Sequence, residues 1–158
     1  TSVRANNTEG ILNAAEKVDR SFKAGADAIG AEVEITKLPG YMCPLDCQPL
    51  KSLVTENLNE IGGEEHLDPI GHGGSTDASD VAHILPTCHM FIAGSTGVGH
   101  GADYKVADPH MAVIEAAKVM VCTAIDLLAN GAEKALAIKQ EWKAPMTKEE
   151  YMSKWLGL

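Results

Sequence analysis

The residue in this chain best placed to do chemistry is His100, set between Gly99 and Gly101 in the stretch GSTGVGHGADYKVADP, Gly94 to Pro109. Flanking glycines let the backbone approach a ligand and remove steric cover from the imidazole. Upstream lies a second glycine-rich turn, GHGGSTDASDV, Gly71 to Val81, and between the two runs a short apolar segment, Thr87 to Ala93. Turn, buried strand, then a polar histidine in a loop before a long apolar helix is how α/β enzymes build a site. A single imidazole, though, is an incomplete metal site.

The other five histidines have simpler readings. His66 and His72 fall in a polar loop and His110 in the first turn of the apolar helix, as exposed side chains or local hydrogen-bond partners. His83 follows the STDASDV turn and His89 sits among apolar residues, where a histidine satisfied within the core is expected. The GGSTD turn is a candidate cradle for an oxyanion or carboxylate. Its small residues expose backbone N–H groups, and Ser75 and Thr76 add hydroxyl donors. The plain alternative is a turn in which Asp77 caps the next segment. A nucleophile elbow of the G-x-S-x-G type is absent from the sequence, and GSTGVGHG lacks the lysine of a phosphate loop.

These residues need elements to hold them. Thr8 is a good N-cap for a helix whose apolar stripe is Ile11, Ala15, Val18, Phe22 and Ile29, with Gly30 at its C′ position. AEVEITK, Ala31 to Lys37, alternates as a half-buried strand, and Leu38-Pro39-Gly40 breaks it. Strand end, helix and strand over residues 1–40 make half of a small α/β layer, which cannot bury a core alone. A boundary follows near Gly40 to Pro49. Pro49 opens a second helix carrying Leu50, Leu53, Val54, Leu58 and Ile61, stopped by Gly62-Gly63, and Gly63 to Ser75 reads as loop. Thr87 to Ala93 reads as a central strand. Asp108-Pro109 starts a helix, apolar nearly all round from Met111 to Ala129 and ended by Asn130-Gly131. Glu115, Lys118 and Asp126 interrupt that run, at a cost of about 2.5–3.5 kcal/mol each near a bilayer centre, so packing on a sheet is expected and not a membrane span. Thr147 and Glu150 form a capping box for a last helix on which Trp155 and Leu156 dock.

Composition bounds the partners. A chain of 158 residues can bury roughly 70% of its unfolded surface, and the 45% apolar content suits a globular protein. The net charge of −9 argues against nucleic acid or an anionic membrane as the main partner. Four cysteines without a paired framework read as free thiols in a reducing compartment, which points to the cytoplasm. The opening TSVRANN carries neither an initiator methionine nor a signal pattern, and reads as the interior of a longer polypeptide.

Taken in order, GGSTDASDVAHILPTCHMFIA, GHGADYKVADP and the apolar helix ending AIDLLANG resemble the C-terminal part of the dinuclear-metal aminoacylase and carboxypeptidase family. The nearest likeness is its amidohydrolase branch, with aminobenzoyl-glutamate utilisation proteins and related dipeptidases. VRANNTEGILNAAEKV and GAEVEITKLPGY resemble the second half of that family's lid, or dimerisation, domain. The resemblance covers nearly the whole chain. It implies an α/β fold: residues 1–40 as half of the lid, and 41–158 as the C-terminal part of a zinc-peptidase-like catalytic domain with a mixed sheet and flanking helices.

The resemblance also implies roles. His100 matches the final ligand of the second metal. Arg4 matches the lid arginine that grips the substrate's terminal carboxylate, a task suited to a bidentate guanidinium. Ser75 and Thr76 match the turn beside that end of the substrate, which Asp77 orders. The intact enzyme would hold two divalent ions (zinc, manganese or cobalt) about 3.5–4 Å apart, activating a water that hydrolyses an N-acyl amino acid or dipeptide-like amide. It would form a homodimer through the lid. The family's remaining ligands and its general base lie upstream and have no equivalent here, so this stretch alone is expected to bind metal weakly or not at all and to be inactive. The alternative is a non-catalytic accessory or degenerate homologue, kept for dimerisation or ligand binding.

Overall fold

In the computed structural model, which describes residues 1–62 and 74–157, helices carry most of the regular structure. The described residues of Thr1–Leu45, His72–Leu85 and Ala144–Leu158 form one compact unit, and those of Asp46–Gly71 and Pro86–Lys143 form a second.

In the first unit, helix α1 spans Thr8–Ala28. Its N-cap is Asn7, one residue earlier than expected, whose side chain accepts from the Gly10 N–H at 2.7 Å. Asparagine caps at least as well as threonine, so the capping logic stands and the position moves. Gly30 ends the helix at φ +68°, as the C′ reading requires. The short helix α3, Asp77–Ala82, places Asp80 among buried groups. One Asp80 oxygen, Oδ1, accepts from the Met42 N–H and from the Tyr151 hydroxyl, each at 3.2 Å. Met42 is fully buried there, and Cys43 beside it donates its thiol to the Ala5 carbonyl at 3.2 Å. The last helix, α5 (Lys148–Glu150), continues as a π-helical turn over Tyr151–Trp155. Its capping box forms as expected: Glu150 N–H to Thr147 Oγ1 at 3.1 Å, and Thr147 N–H to Glu150 Oε2 at 2.9 Å. Trp155 docks through Nε1 on the Gly40 carbonyl at 2.9 Å. Segment 40–43 is therefore held by an indole, a carboxylate and a thiol at once.

In the second unit, helix α2 (Gln48–Gly62) packs against helix α4 (Ala116–Glu141). The expected stripe of α2 buries Leu53 and Val54, which lie in the unit's core with Val119 of α4. Asn57, one turn along the same stripe, is buried as well. Its amide donates to the Leu53 carbonyl at 3.2 Å, Thr123 Oγ1 at 3.3 Å and Asp126 Oδ2 at 3.0 Å. Asn57→Ala should lower stability by about 2 kcal/mol in urea denaturation, since it removes a charge-assisted bond and leaves Thr123 dry. A change within about 0.5 kcal/mol, the level of a surface substitution, would mean that the seam rests on its apolar contacts alone. Asp108 caps the run into α4 as expected, its Oδ1 accepting from the Met111 N–H at 3.1 Å, and a π-helical turn over His110–Glu115 leads in. The helix geometry breaks at Ala129 to Ala132, where Asn130 and Gly131 take φ +50° and +72°, the stop that Asn-Gly signals, and a second helical stretch then runs to Glu141, so α4 is two helices joined across this kink.

Three expectations fail. AEVEITK forms no strand: residues 31–37 are almost entirely exposed, and among the described residues no segment pairs with them. Alternation states which face a strand would bury; it does not supply the neighbour whose N–H and C=O groups must complete the ladder. Thr87 to Ala93 is likewise not a buried central strand, with Phe91 and His89 exposed and their rings in tilted contact, centroids 4.8 Å apart at an interplanar angle of 32°. The mixed sheet is thereby reduced, among the described residues, to one antiparallel pair, β1 (Ser95–Thr96) with β2 (Lys105–Val106). The chain is mixed but helix-rich. Finally, α4 is not sheathed on all sides. One face meets α2, while Met120, Ile125 and Leu128 are more than half exposed. An all-round apolar pattern asks for neighbours without naming them. No described helix is long and apolar enough to cross a membrane.

Candidate functional site

His100 lies at the tip of the β1–β2 hairpin, in the loop Gly97 to Tyr104. Two glycines make that loop possible. At Gly94, φ +114°, a Cβ would come within 2.8 Å of the Asp108 carbonyl oxygen and 2.7 Å of the Ala112 nitrogen. The Gly94 carbonyl accepts from the Ala107 and Asp108 N–H groups, tying the hairpin to the helix start. At Gly97, φ +95°, a Cβ would stand 2.5 Å from the Asp103 carbonyl oxygen. Within the loop, Gly101 N–H donates to Val98 O at 2.7 Å and Tyr104 N–H to Gly101 O at 3.2 Å. The chain is thus folded tightly on itself around His100.

His100 itself takes φ +64°, the left-handed region, although it has a Cβ. Histidine enters that region more readily than most residues, yet the conformation costs of order 1–2 kcal/mol. Its ring is exposed, and among the described residues it makes no side-chain hydrogen bond, ion pair or ring contact. Nothing local explains its being histidine and not glycine.

The substrate-side candidates belong to the other unit. Arg4 is exposed and forms no salt bridge among the described residues. Ser75 and Thr76 are half-buried, and Thr76, not Asp77, is the N-cap of α3. Thr76 N–H donates to Ser79 Oγ at 3.2 Å, so that donor serves the helix start and not a cradle. Asp77 accepts from the Ala78 N–H at 2.9 Å, the local ordering role expected of it. His83 is the satisfied core histidine that was expected, with Nδ1 2.8 Å from the Ser79 carbonyl oxygen. His110 is a local partner too, 3.4 Å from Glu115 Oε1. His66, His72 and the loop from Gly63 to Gly73 lie outside the described residues.

A metal needs several donors at one point. Among the described residues, no three His, Cys, Asp or Glu side chains converge to hold one. Among the described residues the donors do not by themselves fit a resident ion, and His100 could supply one imidazole only. Several buried polar groups are structural in position, among them Asp80 and Asn57, which the sequence reading did not single out, and Glu115, which it placed only as a break in the apolar run. Glu115 Oε1 accepts from Lys118 Nζ at 2.8 Å, while its buried Oε2 has no partner among the described residues. For Asn57 and Glu115 the sequence signal was a polar residue inside an apolar stripe, as with Asn57 after Leu53 and Val54.

Set beside known proteins, the chain matches no family model, no curated protein and no solved structure.

Proposed function

We propose that this chain is the C-terminal portion of a metal-dependent amidohydrolase acting on an N-acyl amino acid or dipeptide-like amide. One observation carries the reading: His100 is held left-handed between two glycines with its ring outward and no contact that the fold requires. Backbone strain kept at an exposed polar side chain points to use of that side chain. The order of motifs around it supports the same reading, as does the exposed guanidinium of Arg4.

On this reading His100 contributes a single donor to a metal whose other ligands lie in polypeptide outside these 158 residues. Residues 1–40 belong to a lid and the rest to a zinc-peptidase-like catalytic domain, with a homodimer formed through the lid. Arg4 pairs with the terminal carboxylate of the substrate, and Ser75 and Thr76 border that end. These contacts orient the amide; they do not break it. The reading requires the upstream coding sequence to supply a His-x-Asp pair, a bridging aspartate, paired glutamates and one further ligand. Eroded residues there would favour the accessory reading.

Arg4 gives the enzymatic test. In the complete encoded polypeptide, Arg4→Lys should lose about 1.5–3 kcal/mol of transition-state binding, because an ammonium cannot form the bidentate fork. The loss should appear in kcat/KM for a substrate with a free carboxylate and vanish when that carboxylate is amidated. Equal losses on the acid and the amide would assign Arg4 to the fold or the dimer.

A further inference from the structure

We infer that Cys88 and Cys47 form a thiol–disulfide modification site, closed by exchange with a low-molecular-weight disulfide such as oxidised glutathione. The backbone supplies the geometry. Cys47 N–H donates to the Thr87 carbonyl at 3.0 Å, so the residue before Cys88 is pinned to Cys47. By standard bond lengths the two Cα atoms then stand no more than about 7 Å apart. Disulfides join Cα atoms about 4.4–6.8 Å apart, so this backbone bond brings the pair to the separations at which disulfides form.

The surroundings separate the two roles. Cys47 is fully buried at the start of α2, where its carbonyl accepts from the Lys51 N–H at 2.8 Å. Cys88 is half-buried and is the sulfur that a solution disulfide can reach. Lys51 and Asp46 pair at 2.7 Å, and both act electrostatically on the Cys88 thiol, as does Cys47. Burial pushes that thiol above its ordinary range, Asp46 adds to the rise, and the Lys51 ammonium opposes it. Attack is therefore slow at neutral pH and faster as the pH rises.

In the first step the Cys88 thiolate attacks one sulfur of oxidised glutathione. That S–S bond breaks, and one glutathione leaves as thiolate and takes a proton. In the second, Cys47 gives up its proton and attacks the Cys88 sulfur of the mixed disulfide, releasing the second glutathione. Two protein thiols are oxidised and one small disulfide is reduced to two thiols. The product staples the start of α2 to the segment at Cys88, and reduced glutathione reverses it. Neither sulfur has a part in the amidohydrolase reading.

The test is to incubate the chain with oxidised glutathione, digest it with trypsin without reductant, and map linked peptides by mass spectrometry. The expected product joins peptide 38–51 to peptide 52–105 with the loss of two hydrogens. Peptide 38–51 carries both Cys43 and Cys47, so Cys43→Ser must keep the link. Cys88→Ser must abolish it and leave Cys47 a free thiol, with an unchanged far-ultraviolet circular dichroism spectrum. If that variant misfolds, fragmentation of the wild-type linked peptide assigns the partner directly. A link through Cys43, or a glutathione adduct that stays on Cys88 without resolving, overturns the proposal.

Discussion

Asp80→Ala is expected to cost about 3–5 kcal/mol in the unfolding free energy of the chain, read by urea denaturation with circular dichroism. The carboxylate is buried, and a single oxygen accepts from both the Met42 N–H and the Tyr151 hydroxyl. Each bond to a charged acceptor contributes about 1.5–3 kcal/mol, and removing the acceptor strands a buried backbone N–H as well. Asp80→Asn, which keeps one acceptor oxygen, should lose less than half as much. Tyr151 adds a pH signature. Burial first, and then the Asp80 carboxylate, raise the Tyr151 hydroxyl above its ordinary range. A folded state that holds the proton more tightly is stabilised below the unfolded pKa of about 10 and loses that stability as pH rises through the folded value. Tyr151→Phe should therefore flatten the alkaline fall in stability. An Asp80→Ala protein as stable as the parent would show that segment 40–43 is held by Trp155 and Cys43 alone.

His100→Gly is expected to do two opposite things. It should stabilise the hairpin by about 1 kcal/mol, because glycine adopts φ +64° without the Cβ clash that histidine bears. It should also lower hydrolysis by the complete polypeptide by more than about 100-fold, beyond what the loss of an outer-shell partner costs a metal site. A residue that weakens the fold and is needed for activity is a functional residue. A residue whose loss harms both is a structural one, and that pattern would remove His100 from the site.

Local signals were legible in the sequence where the residue itself sets the backbone. The Thr147–Glu150 box, the Asp108 cap, the Asn130-Gly131 break and the α2 stripe all appear as read, because each rests on contacts within a few residues. The strands were not legible in the same way. AEVEITK has the right alternation but, among the described residues, no strand beside it, and a strand exists only in a pair. Asp80 was hidden for a related reason. In STDASDV it reads as a turn residue, and its partners Met42 and Tyr151 lie 38 and 71 positions away. His100 stands out in the sequence because glycines on both sides are visible in one dimension. Its left-handed backbone is not, and that is the added reason to single it out.

The most direct measurement is the metal content of the complete encoded polypeptide, purified, loaded with zinc, dialysed and assayed by atomic emission, beside its His100→Gly variant. The amidohydrolase reading predicts about two ions per chain in the parent, as in a two-metal site. It predicts the loss of one in the variant, with circular dichroism unchanged. Equal metal content in the two proteins, or none in either, would contradict it.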